Sequence, residues 1–312
     1  MEKCISTAIG FVVQDVAVIS TIWKKNNQWG NARFVVMKKY WLANRKMGLF
    51  SKIELPGVKH LIAVASGKGG VGKSTVAVNL ALALARMGLK TGLVDADIFG
   101  PSIPRMLGVE KETIEGISEN GRQIMIPIEK YGLRIMSIGF FVDQKQGLIW
   151  RGPMASNALG MMFENTRWGE LDFLVIDFPP GTSDIQLTAV QKLRIRGALM
   201  VTTPQEIALN DARKAASLFK GKSFPVPILG VAENMSWFSP APHPLEKYFI
   251  FGKGGGERLA NELNVPLLAQ IPLMAETGEA AEAGHDPKST NPVVAKIFDD
   301  LAGKIHSLVP KN

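Results

Sequence analysis

The 312-residue chain is almost without cysteine. Cys4 is its one thiol, so no intrachain disulfide and no CxxC can form, a pattern that fits a reducing compartment. No apolar run reads as a membrane span, because the stretch Ile5–Trp23 is short and broken by Gln14 and Asp15. The same stretch lacks the basic start, clean apolar core and small-residue cleavage site of a secretory signal. The C-terminus carries no amphipathic membrane helix, since Ile297–Leu308 is short and runs into Pro-Lys-Asn. Repeats and low-complexity tracts are missing too. A basic face is absent outside the N-terminal arm. Residues 1–55 hold nine Lys/Arg against Glu2, Asp15 and Glu54, a net of +6, which leaves 27 basic and 25 acidic residues for the rest. The main body therefore gives no charge argument for nucleic acid. The expectation is a cytoplasmic protein that engages neither nucleic acid nor membrane.

The stretch Leu61–Thr75, LIAVASGKGGVGKST, organises what is there. An apolar run, Leu61–Ala65, reads as a buried strand, and Val76–Met87 reads as a helix. Between them Gly67, Gly72, Lys73 and Ser74 meet the spacing G-x-x-x-x-G-K-[ST] of a phosphate-binding loop. A triphosphate needs several backbone N–H groups converging on its oxygens, and glycines let the chain fold that tightly. The helix that follows adds free N–H groups and the positive end of its dipole. Gly67, Lys68, Gly69, Gly70, Val71, Gly72, Lys73, Ser74 and Thr75 are thus the expected residues for a nucleoside triphosphate. Lys73 would reach the β- and γ-phosphates, and the Ser74 hydroxyl would hold Mg²⁺. The glycines also match the dinucleotide fingerprint G-x-G-x-x-G, with Asp95 or Asp97 about 20 residues on. Lys73 and Ser74 have no role in such a site and decide for the triphosphate.

Pro56-Gly57 reads as a boundary between an extension, residues 1–56, and an ATPase domain, residues 57–312. Within the extension, Phe11–Ile22 and Ala32–Tyr40 read as two strands around a turn. An organelle presequence is one reading of the arm, since Val16–Ile53 holds no acid. A plain extension with a later start at Met37 or Met47 is the other. Beyond Pro56, strand and helix signals alternate, which predicts an α/β fold with a mostly parallel sheet and helices on both faces. Strands are expected at Lys90–Val94, Arg134–Ile138, Phe173–Ile176, Gly197–Thr202, Pro227–Ala232 and Leu267–Ile271. Helices are expected at Pro153–Glu164, Glu206–Lys220, Gly255–Leu263 and Pro292–Leu308, and a loop at Gly139–Gly147. Lys192–Arg196, KLRIR, reads as a solvated surface segment.

In such a sheet, functional groups lie at the carboxyl ends of strands. Asp95 and Asp97 end the second strand. Asp177 ends LVIDF, where an acid would hold Mg²⁺ through water. Pro179-Pro180-Gly181 makes a stiff turn able to sense a γ-phosphate. Asn234 ends a further strand.

Several stretches now resemble one family: GKGGVGKST, LVDADIFGPSIPRML (Leu93–Leu107), MSIGFF with IWRGPM (Met136–Phe141, Ile149–Met154), WGELDFLVIDFPPGTSDIQLT (Trp168–Thr188), TTPQEIALNDARK (Thr202–Lys214) and GVAENMSWF (Gly230–Phe238). They are similar to the Mrp/ApbC P-loop ATPases, described as iron–sulfur cluster carriers and related to the MinD/ParA class. The resemblance spans about residues 57–310. It implies a homodimer that binds and slowly hydrolyses ATP and passes a [4Fe–4S] cluster to iron–sulfur apo-proteins or assembly factors. It implies that Lys68 acts across the dimer, that Lys73 stabilises the transferring phosphoryl group, that Asp97 orients the attacking water and that Asn234 contacts adenine. A MinD/ParA-like switch acting through a protein partner is the alternative. The chain departs from the family in two places. The family often carries an N-terminal domain of its own, which residues 1–56 are too short to match and do not resemble. Carriers place a CxxC just after ENMS, and here Pro240 and His243 stand at those positions. Proline cannot ligate iron, and His243 is either a weak substitute or a solvated loop residue.

Overall fold

The computed structural model describes residues 52–309 except 99, 142–151, 222–224, 241, 244–245 and 274–290; of residues 152–157 and 184 it describes the backbone alone. The two strands expected in the extension, Cys4, and most of the Gly139–Gly147 loop lie outside the described residues.

The main sheet has eight strands: β1 (Val58–Ser66), β2 (Thr91–Asp95), β5 (Ile128–Lys130), β6 (Leu133–Ser137), β7 (Leu171–Asp177), β8 (Gly197–Thr202), β9 (Ile228–Glu233) and β10 (Leu267–Gln270). Their order is β10-β9-β8-β1-β7-β2-β6-β5, parallel throughout except for the short edge strand β5. The central strands are buried along nearly their whole length. That explains their continuous apolar runs, since a parallel sheet is covered on both faces. Alternate side chains part to opposite sides. Ile62, Val64, Leu93, Val175, Leu199 and Val201 pack with α1 (Lys73–Arg86) and α7 (Pro292–Leu308). Leu61, Ala63, Val94, Leu174, Ile176 and Met200 pack with α3 (Gly152–Glu164), α4 (Asp184–Lys192), α5 (Glu206–Phe219) and α6 (Gly255–Leu263).

A short helix α2 (Ile103–Met106) and an antiparallel hairpin of β3 (Glu115–Glu119) and β4 (Arg122–Ile126) fill the passage from β2 to β5. Before β1, Ile53 donates its N–H to the Lys192 carbonyl at 2.6 Å, which ties the chain to the end of α4 ahead of the Pro56-Gly57 turn. The Lys192–Arg196 segment corrects its sequence reading. Leu193 and Ile195 are buried in the core and Arg194 is exposed, so the segment alternates in and out instead of lying wholly in solvent.

His60 on β1 packs 5.2 Å from the Phe173 ring, and its Nδ1 is buried without a hydrogen-bond partner among the described residues. Burial holds its pKa below the usual histidine range, helped by Arg196, His306 and Lys59, while Asp172 opposes. A base whose pKa is depressed on folding contributes stability above its unfolded pKa and loses it as pH falls through about 6.5 and below. The melting temperature of His60→Leu is therefore expected to rise relative to that of the parent chain as pH falls from about 7.5 to 5.5. Equal acid sensitivity of variant and parent would remove His60 from this account.

Candidate nucleotide site

The site lies at the carboxyl ends of β1, β7 and β2, where the connections after β1 and β7 leave to opposite faces of the sheet. The loop Gly67–Gly72 joins β1 to α1. Gly67 is pressed on α5, and a Cβ there would overlap the backbone of Asp211 and Ala212. Gly72 has a φ of 79° and caps α1 without any side-chain hydrogen bond. No acid stands in the first turn of that helix. Its first N–H groups are thus left for an anion.

Lys73, the first residue of α1, is 6% exposed. Its Nζ donates to Asp177 Oδ1 at 2.5 Å and to Ser74 Oγ at 3.2 Å, and lies 3.9 Å from Asp97 Oδ2. The structure therefore brings together Lys73, Ser74, Asp97 and Asp177, drawn from three separate strand ends. Asp177 is wholly buried, and burial pushes its pKa up against the pull of Lys73. Its Oδ2 has no hydrogen-bond partner among the described residues. A buried carboxylate oxygen without a donor is costly, and it suits a hydrated divalent cation. Ser74 and Asp177 thus fit Mg²⁺.

Asn234, 8% exposed, donates from Nδ2 to the Val71 carbonyl at 2.9 Å and closes on Gly72. Gly69 and Gly70 are exposed at the tip, and Thr75 lies half-buried in the first turn of α1. The Lys68 carbonyl accepts from Ser66 Oγ at 3.0 Å. Its half-exposed side chain makes no ion pair among the described residues, whereas Lys73 is paired. The Pro-Pro-Gly turn is fixed from both sides: Gly181 donates its N–H to the Ser66 carbonyl at 2.9 Å, and the buried Gln186 donates from Nε2 to the Pro179 carbonyl.

Two buried acids were not legible as anchors. Asp95 is pushed up to about 7, first by burial and then by the neighbouring Asp177. Glu233 accepts from Ser236 Oγ at 2.8 Å, from Gln270 Nε2 at 3.0 Å and from the Gly256 N–H, and so fixes the loop that carries Asn234. A charged residue ending an apolar strand was the available signal. His243 stands apart from the site. It is 63% exposed, with Nδ1 3.6 Å from Glu246 Oε1. Among the described residues no group of three or more His, Cys, Asp or Glu is placed to hold a metal ion.

The family model for ParA, the NUBPL iron-transfer P-loop NTPases, matches residues 57–306. The chain belongs to this family. Among relatives of this NUBPL-type NTPase, the iron-sulfur cluster carrier protein of Aquifex aeolicus is 46% identical over 264 residues, covering 84% of this chain and 71% of that protein. A nucleotide-binding protein from Archaeoglobus fulgidus, solved in complex with ADP, has a TM-score of 0.65 and 33% identity, covering 76% of this chain and 91% of that one. The cell division ATPase MinD of Pyrococcus furiosus, with a TM-score of 0.56, 24% identity and coverage of 80% and 99%, shares the fold. No helix among the described residues is long and apolar enough to cross a membrane.

Proposed function

We propose that this NTPase is a homodimeric, Mg²⁺-dependent ATPase that gates the delivery of an iron–sulfur cluster to apo-proteins or assembly factors. The observation that carries the reading is the Lys73–Asp177 contact beneath an uncapped helix N-terminus in a complete phosphate loop. Residues 57–312 are assigned to the ATPase domain, and residues 1–56 to a basic extension that ATP binding does not require. Backbone N–H groups of Gly69–Thr75 bind the phosphates. Lys73 leaves Asp177 for the β- and γ-oxygens, where its charge follows the transferring group. Ser74 and Asp177 hold Mg²⁺, which when bound compensates phosphate charge. Asp97, beside Lys73, orients the attacking water, and Asn234 sits against the base. The proposed thiolates for the cargo come from the partner protein, because Pro240 and the exposed His243 stand where carrier cysteines would.

Lys68 is assigned to the second nucleotide across the dimer. Lys68→Ala should keep ATP binding and lose turnover and ATP-driven dimerisation. Mixing Lys68→Ala with Asp177→Ala subunits tests the assignment. Each mixed dimer should regain one competent site, so activity should return to roughly half of the wild-type rate per dimer. Confirmed heterodimers without recovery would contradict a role in trans.

A further inference from the structure

Asp95 and Ser137 are absent from the mechanism above, yet both are fully buried at the edge of the site. Asp95 is the register partner of Asp177 on the neighbouring strand. Its Oδ1 accepts the N–H of Asp97 at 3.2 Å. Its Oδ2 accepts the N–H of Ile103, at the start of α2, at 3.2 Å and the Ser137 hydroxyl at 3.0 Å. Ser137 Oγ in turn accepts the N–H of Gly139 at 3.0 Å. A single carboxyl group thus holds two loops at three points: the β2–α2 loop at Asp97 and again at Ile103, and the loop leaving β6 through Ser137. The two loops also touch directly, because a Cβ on Gly139 would stand 2.9 Å from Pro101 Cβ. Beyond Gly139 come the half-buried Phe140 and Phe141, which is 43% exposed.

Hydrogen bonds to a buried carboxyl group are short on alternatives. Losing a donor leaves a carboxyl oxygen with an unmet acceptor, so the two loops keep one arrangement while all donors are in place. Packed elements of this kind shift together between discrete positions.

Resting on the ATPase reading, we infer that Asp95 and Ser137 are positioning residues: they set Asp97 for hydrolysis and carry its position to the Ile138–Phe141 turn, which presents Phe141 at the surface. Neither side chain need touch nucleotide. The tie explains why a serine, not an apolar residue, ends the buried strand β6 beside an aspartate.

Two measurements test the tie. In steady-state turnover, Ser137→Ala should lower kcat about tenfold while the ATP Kd stays within about twofold. Asp95→Asn keeps an oxygen for the Asp97 N–H but sets an amide against the Ile103 N–H, and should lower kcat at least as far. The double variant should be no slower than Asp95→Asn alone, since both act through one connection. The second measurement is hydrogen exchange with a non-hydrolysable ATP analogue and Mg²⁺. In the parent chain, nucleotide should slow exchange both at residues 67–75 and at residues 138–141. In Ser137→Ala the slowing at 67–75 should stay and that at 138–141 should vanish. A lowered melting temperature with unchanged kcat, additive losses in the double variant, or equal protection of residues 138–141 in parent and variant would overturn the inference. Should the parent chain lack turnover, the ATPase reading fails by itself and the exchange comparison still decides the tie.

Discussion

Lys73→Ala is expected to cut ATP turnover by about 1,000-fold, the cost of removing a preorganised charge from a transferring group. The same change has a second, independent effect. Lys73 and Asp177 face each other at 2.5 Å with 6% and 0% of their side chains exposed. Removing one member of such a pair leaves the other buried and uncompensated, at about 3–5 kcal/mol. Lys73→Ala should therefore melt at a lower temperature even without nucleotide. Asp177→Ala should lose turnover as fully, and it should also lose the Mg²⁺ dependence of nucleotide affinity. Scanning calorimetry of the free proteins and a coupled phosphate-release assay check both halves. Wild-type stability in Lys73→Ala would show that the 2.5 Å contact carries no net charge compensation, and residual turnover within tenfold of the parent would remove Lys73 from the mechanism.

Much of this arrangement can be read along the chain because each element is local. The apolar runs ending at Asp95, Asp177 and Asn234 give β2, β7 and β9 within a residue or two, since a strand covered on both faces has no polar alternation to blur it. Helices α6 and α7 fall on their expected bounds. In α7, Asn291 accepts from the Val293 and Val294 N–H groups while Pro292 takes the first position, a strong local start signal. Lys192–Arg196 was misread because its charges suggested a solvated face, although Leu193 and Ile195 alternate with them into the core. The β3–β4 hairpin carried its own signal in Asn120-Gly121, whose φ values of 50° and 76° suit a tight reversal, but the exposed, largely polar β3 hid the pattern. The tie at Asp95 was out of reach altogether. Its partners Ile103 and Ser137 lie 8 and 42 residues away, and only the sheet order places β6 beside β2. The phosphate loop belongs to the first kind of feature and the Lys73–Asp177 contact, across 104 residues, to the second.

The purified chain, as the proposed homodimer, is expected to hold no stable [4Fe–4S] cluster. Such clusters are held mainly by thiolates, with histidine as the usual substitute. Each subunit offers one thiol, Cys4, far in sequence from the position where the resemblance to the carriers puts their cysteines. At that position stand Pro240, which cannot ligate, and His243, 63% exposed and 3.6 Å from a glutamate. Two such histidines from a dimer supply two ligands where four are needed. Work on clusters would then pass through ATP-gated contact with a protein that owns the thiolates. The decisive measurement is anaerobic reconstitution of the dimer with iron and sulfide, followed by desalting and iron counting beside the absorbance of the cluster bands. The account predicts that iron washes away and no band persists. Four iron atoms retained per dimer, with loss of the signal in His243→Ala or Cys4→Ser, would contradict it and name the ligand.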